Sequence, residues 1–218
     1  DELLVLLEAR ELSLRRRFEQ IISEVNELHD SLLRLQAELL ADPTEAPAPA
    51  LADEEAPQLS PEQLRERARS LRVLRAQRGA QQAQKSSQET LGVSMGFQDI
   101  VLERENNRVP DAENRVSILR DQIALPLEKL SKEDFAELDR LLKTVAQQPD
   151  DAEAAAAAVR RSGEILAKMS AILDKVANLE DYNELLDLVR SILKEQQELQ
   201  EETRKLQRKK LLEGIEND

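Results

Sequence analysis

Leu14, Phe18, Ile21, Val25, Leu28, Leu32, Leu35 and Leu39 recur at alternating steps of four and three residues. An α-helix turns once every ~3.6 residues, so this spacing lays a continuous apolar stripe along one helix face, the a/d seam of a coiled coil. The stripe predicts a helix over about residues 1–41. Leu4 and Leu7 extend it backwards, and Glu11 interrupts it once.

A second ladder of three and four steps runs through a more polar stretch. Its members are Val73, Ala76, Ala80, Ala83, Ser87, Thr90, Ser94, Phe97 and Val101. The central ones are small, which predicts close approach of two helix backbones, with Ala76, Ala80 and Ala83 at the contact. This helix is expected over about 61–107. Ser60-Pro61-Glu62-Gln63 is a helix start: Ser60 as N-cap, Pro61 at the first helical position, Gln63 completing a capping box. At ~1.5 Å per residue the helix would be about 70 Å long.

A third helical region is predicted over 110–147, after the break at Asn106–Pro110. Val116, Leu119, Ile123, Leu127 and Leu130 line one face, and Phe135, Leu138, Leu142 and Val145 resume it. Pro126 inside this region should kink or open the helix, and Ser131–Asp134 offers a place to re-cap. An Ala-rich helix follows over 151–177, with Leu166, Met169, Leu173 and Val176 inward and a short turn at Asn178–Asp181. A last helix is predicted over 181–213. Leu185, Val189, Ile192, Gln196, Leu199 and Thr203 form its seam, the polar Gln196 and Thr203 being of the kind that sets register and partner choice.

Residues 42–60 carry five acidic residues, no basic ones, and much Pro and Ala. They read as an extended, disordered connector.

Composition narrows the class further. Aromatics are 2% of the chain and glycines number 5, while 34% of residues are charged. Sheets need aromatic and β-branched strands with glycine-rich turns; helix formers dominate instead. Fold class is therefore all-α: one elongated antiparallel helical bundle or coiled coil with a single Pro/Ala/acidic loop. No run approaches the ~18 apolar residues of a membrane span. The chain begins at Asp1 rather than Met, so flanking sequence is expected.

The formal net charge of -13 disfavours nucleic acid and anionic membranes as general partners. Its distribution is uneven. Residues 61–109 hold nine basic and six acidic residues, a balance of +3, whereas 150–218 hold eleven basic and sixteen acidic, a balance of -5. Antiparallel pairing of these regions would be favourable by tenths of a kcal/mol per exposed pair.

Candidate chemistry is sparse. The single histidine, His29, has Asn26 three residues before it, so the Glu-x-x-His pattern of a di-iron bundle is missing. It reads as a seam-edge or surface residue. The acidic groups Glu180, Asp181, Glu184, Asp187 and Glu195, Glu198, Glu201, Glu202 read as solvated faces. Arg65, Arg67, Arg69, Arg72, Arg75 and Arg78 form a basic stretch, as do Arg204, Lys205, Arg208, Lys209 and Lys210, but neither carries interleaved aromatics. Gly92-x-x-x-Gly96 marks a tight crossing or a hinge. There is no Cys, phosphate loop, nucleophile elbow or zincin motif. The expectation is no enzyme, no cofactor and no metal.

KSSQETLGVSMGFQDIVLERENNRV (85–109), RVSILRDQIALPLEKL (115–130) and LEDYNELLDLVRSILKEQQELQEETRKLQRKKL (179–211) resemble the helical part of large, uncharacterised, membrane-anchored coiled-coil proteins of planctomycete bacteria. The resemblance implies an extracytoplasmic, membrane-tethered piece whose spans lie in flanking sequence; the alternative is a cytoplasmic one. It carries over no site residues.

The function these patterns predict is structural: a helical spacer or scaffold that binds protein helices, its own or another's, through coiled-coil seams. The alternative is a signal-transmitting bundle that switches packing, hinged near Gly92, Gly96 and Pro126.

Overall fold

The computed structural model describes residues 2–40, 60–109 and 114–179, together with Glu195, Gln196 and Leu199. Among these residues the protein is 95% helical and contains no strand; four helices pack against one another in an all-α bundle. The chain divides into two compact units, Asp1–Lys175 and Val176–Asp218. In the second unit, residues 176–179 are helical, as are Glu195, Gln196 and Leu199, the last three exposed. The predicted connector at 42–60 lies outside the described residues except for Ser60, as does the predicted helix at 181–213 except for those three positions.

Helix α1 spans Glu2–Leu40 and α2 spans Pro61–Asn106. A third helix, α3, covers 115–147, and α4 covers 152–179. Cross-helix contacts define their order. Arg10 meets Glu103 at 2.5 Å, Lys85 meets Glu24 at 2.8 Å, and Arg75 meets Glu38, so α1 and α2 run antiparallel. Ser94 meets Ala124 and Ser87 meets Ser131, which makes α3 antiparallel to α2. At one end, Leu35, Ala76, Val145, Ala154 and Ala155 form a single buried cluster to which all four helices contribute.

The capping box at Ser60 forms: the Gln63 amide donates to Ser60 Oγ at 3.3 Å, and the Ser60 amide donates to Gln63 Oε1 at 2.8 Å. At its other end α2 stops in a Schellman arrangement. The Val109 amide reaches the Arg104 carbonyl and the Arg108 amide reaches that of Glu105, with Arg108 in the left-handed region at φ 50. Asp151 starts α4 by accepting from the amides of Glu153 and Ala154 at 3.0 and 2.9 Å.

The third helix departs from a regular α-helix. It alternates between α-helical Arg115–Ser117, π-helical Ile118–Ala124, α-helical Leu125–Lys129, π-helical Leu130–Asp134 and α-helical Phe135–Gln147. The Leu125 amide reaches back to Arg120 and the Phe135 amide to Leu130, each across five residues. The spacing of core residues explains this. Leu119 and Phe135 are both buried, yet sixteen positions along a regular helix would set them about 160° apart. Each π turn absorbs one extra residue, about 100° of rotation, so two of them return Phe135 to within about 40° of the Leu119 face. Pro126 falls in the first turn of the α segment that follows the first π segment, where its missing N–H and its ring are tolerated. The helix widens here instead of breaking, and no side chain re-caps it at Ser131–Asp134.

Two expected seams hold in part. In α2, Ala76, Ala83, Thr90, Ser94, Phe97 and Val101 are buried as expected, Val73, Ala80 and Ser87 are half-buried, and Gly79, Ser86, Val93, Ile100 and Arg104 are buried beside them. In α4 the buried line is Ala158, Ser162, Ile165, Met169, Ile172 and Val176, and Leu166 and Leu173 flank it half-buried. Neither Asn178 nor Leu179 forms the expected turn; both are helical.

Candidate functional site

The predicted interaction residues fall into three groups. In α1, Phe18, Ile21, Val25, Leu28, Leu32 and Leu35 are buried, while Leu14 and Leu39 are half-buried at the ends. Ala76 and Ala83 of α2 are fully buried, and Ala80 lies at the edge. These two seams are covered within the chain. Of the last seam, Gln196 and Leu199 are helical and exposed, while Leu185, Val189, Ile192 and Thr203 lie outside the described residues.

Gly79, Gly92 and Gly96 have separate roles. A Cβ on Gly79 would lie 3.3 Å from Leu28 Cδ1 and 3.6 Å from Leu142 Cδ2, so α1 and α3 close on α2 at this point. At Gly96 a Cβ would come within 2.6 Å of Leu14 Cδ2. Gly96 is thus a point of close approach to α1. Gly92 is less constrained; only the Arg17 guanidinium, 3.7 Å away, lies over it.

Where α1, α2 and α3 meet near the start of α1, the interior is charged. Glu11 occupies a seam position and is buried, as are Arg104 and Arg115. Arg104 donates to Glu11 Oε1 at 3.2 Å, and Arg115 donates to both carboxylate oxygens. Arg104 Nε has no hydrogen-bond partner among the described residues. Glu11 was legible only as a gap in the stripe, because its two partners are more than ninety positions away in sequence.

A polar ladder joins α2 to the π-helical part of α3. Ser94 Oγ donates to the Ala124 carbonyl at 2.8 Å, Ser87 Oγ to the Ser131 carbonyl at 3.1 Å, and Ser131 Oγ returns a bond to the Ser87 carbonyl at 2.9 Å. Ser86 Oγ and Thr90 Oγ1 are buried and unpartnered among the described residues. His29 is half-buried, its Nδ1 2.7 Å from Ser162 Oγ. Ser162 Oγ also lies 2.9 Å from the Val159 carbonyl. Asp134, on the second π segment, receives Lys168 at 2.7 Å and Arg161 at 3.2 Å.

Outside the interior, ion pairs fasten neighbouring helices. The Lys85 ammonium bonded to Glu24 holds that carboxyl below its ordinary range, and the same bond raises Lys85. Between α2 and α3, Glu105 raises Arg120; within α3, Lys132 lowers Glu128 four residues before it. A shallow groove of about 270 Å³ lies between α2 and α3, lined by Gln98, Val101, Leu102, Arg120, Leu125 and Glu128. Among the described residues, no group of His, Cys, Asp and Glu side chains could hold a metal ion, and no helix is long and apolar enough to cross a membrane.

No family model, curated protein or solved structure matches this chain.

The first turns of α2 form the most exposed helical surface of the first unit. Every residue from Glu62 to Leu71 is exposed. Leu64, Ala68 and Leu71 share one face at a/d spacing. Arg65, Arg67 and Arg78 are exposed and make no ion pair among the described residues, while Arg69 and Arg72 reach Asp150 and Arg75 reaches Glu38. This face is the candidate interaction surface.

Proposed function

We propose that this protein is a structural, non-enzymatic helical scaffold or spacer that presents rigid helix faces to other protein helices. The observation that carries this reading is the start of α2: ten consecutive exposed residues on a capped helix whose remainder is anchored in a four-helix bundle. A helix end of this kind holds a leucine stripe at a fixed position without support of its own. The resemblance to membrane-anchored coiled-coil proteins supports an extracytoplasmic, tethered setting for such a spacer. Native extract passed over the immobilised chain tests the scaffold role. Recovery of a helical protein that Leu64→Asp with Leu71→Asp abolishes is the expected result; a chain that recovers no protein partner contradicts it.

A second reading, a bundle that transmits a signal by switching packing, is favoured by two π-helical segments flanking Pro126 and by the buried hydroxyls of Ser86 and Thr90, which have no hydrogen-bond partner among the described residues. Polar seams and wide turns lower the cost of an alternative packing. Engineered cysteine pairs between α2 and α3, such as Ser94→Cys with Ala124→Cys, discriminate: one cross-linking pattern under all conditions favours the passive scaffold.

A further inference from the structure

We propose that the exposed face at the start of α2 docks the acidic segment 181–202 of a second copy of this chain. The inference rests on the scaffold reading and names its partner.

The face is built for a helix. Leu64 is 53% exposed and Leu71 46%, and Ala68 lies between them. Leu74, 41% exposed, widens the apolar strip on one side. Arginines border it: Arg67 and Arg78 on one flank, Arg65 on the other. Residues 62–78 hold six arginines against two glutamates. Three of the arginines are engaged by Asp150 and Glu38, leaving Arg65, Arg67 and Arg78 for a partner.

Charge selects the occupant. Two copies of this face cannot pair well, since six arginines would meet six. The matching surface needs apolar residues at a/d spacing beside an acidic flank. The sequence of residues 181–202 has that spacing: on a helix Tyr182, Leu185, Val189 and Ile192 would make the stripe, with Asp181, Glu195 and Glu202 on one flank and Leu186 and Leu193 on the other, and the segment as a whole holds seven acidic residues against only Arg190 and Lys194. Each copy carries both surfaces, so two copies that exchange them mutually would close a two-fold pair. An anionic lipid surface is the weaker match, because Glu62 and Glu66 interrupt the basic flank and the chain as a whole is strongly acidic.

Light scattering over a concentration series, at low and at high salt, tests the pairing. The expected result is a concentration-dependent dimer that salt weakens. Leu64→Asp with Leu71→Asp should abolish it while leaving thermal unfolding of the bundle unchanged, since both side chains are exposed. Arg65→Glu with Arg67→Glu should weaken it about tenfold, as a small network of exposed pairs can. Adding Asp181→Lys and Glu195→Lys, which lie on the acidic flank of the stripe, to that variant should restore it. A monomer at every concentration overturns the proposal, as does a dimer indifferent to these changes. Sedimentation with phosphatidylserine vesicles that Leu64→Asp with Leu71→Asp removes also overturns it. A monomer that still captures a helical protein from extract would leave the scaffold reading standing and remove only this one.

Discussion

Glu11 interrupts an otherwise leucine-rich stripe, and its burial against Arg104 and Arg115 turns that interruption into a link among three helices. Removing Glu11 takes from buried Arg104 the carboxylate it donates to. Glu11→Ala should therefore cost about 3–5 kcal/mol, and urea unfolding of the variant checks it. The glycines separate in the same way. Gly92 sits in a helix with ordinary space above it, so Gly92→Ala should stabilise by about 1 kcal/mol. Gly96→Ala should fall short of that gain because its methyl group meets Leu14, and should recover it in a Leu14→Ala background. Urea midpoints of the four variants measure that coupling. Such outcomes would make Gly96 a packing contact and not a hinge.

In α3, sequence spacing and helix geometry conflict, and the backbone yields. Core residues spaced too widely for a regular helix are kept on one face by two π segments. Deleting exposed Asp121 from the first segment should convert it to α-helix and leave the core face aligned, at a cost of about 1–2 kcal/mol or less. Deleting exposed Glu27 from regular α1 should instead rotate Leu28, Leu32 and Leu35 by about 100° and abolish cooperative unfolding. Circular dichroism with urea titration distinguishes the two; equal damage from both deletions would refute the account. The registers of α2 and α4 were harder to read than that of α1 for a related reason. Ala, Gly, Ser and Gln offer little contrast between faces, and Ile165 beside Leu166 or Ile172 beside Leu173 gives two equally apolar choices.

For the chain as a unit, residues 1–175 contain the interlocked helices, including the four-helix cluster around Leu35 and Ala76. A chain ending at Lys175 should remain helical and unfold in one cooperative step, with coincident transitions by circular dichroism and Tyr-independent probes such as amide exchange. A broad, non-cooperative transition would show that the first unit depends on the remainder. Composition and the α1 ladder were enough to establish an all-α bundle with its first seam, because helix propensity and a 3.6-residue period are local properties carried by consecutive residues. The capping box at Ser60 was legible for the same reason. The partners of Glu11, the pairing of His29 with Ser162, the serine ladder between α2 and α3 and the choice of Ile165 over Leu166 were not. Each depends on which residues from distant parts of the chain meet, and a one-dimensional period carries no information about the facing helix.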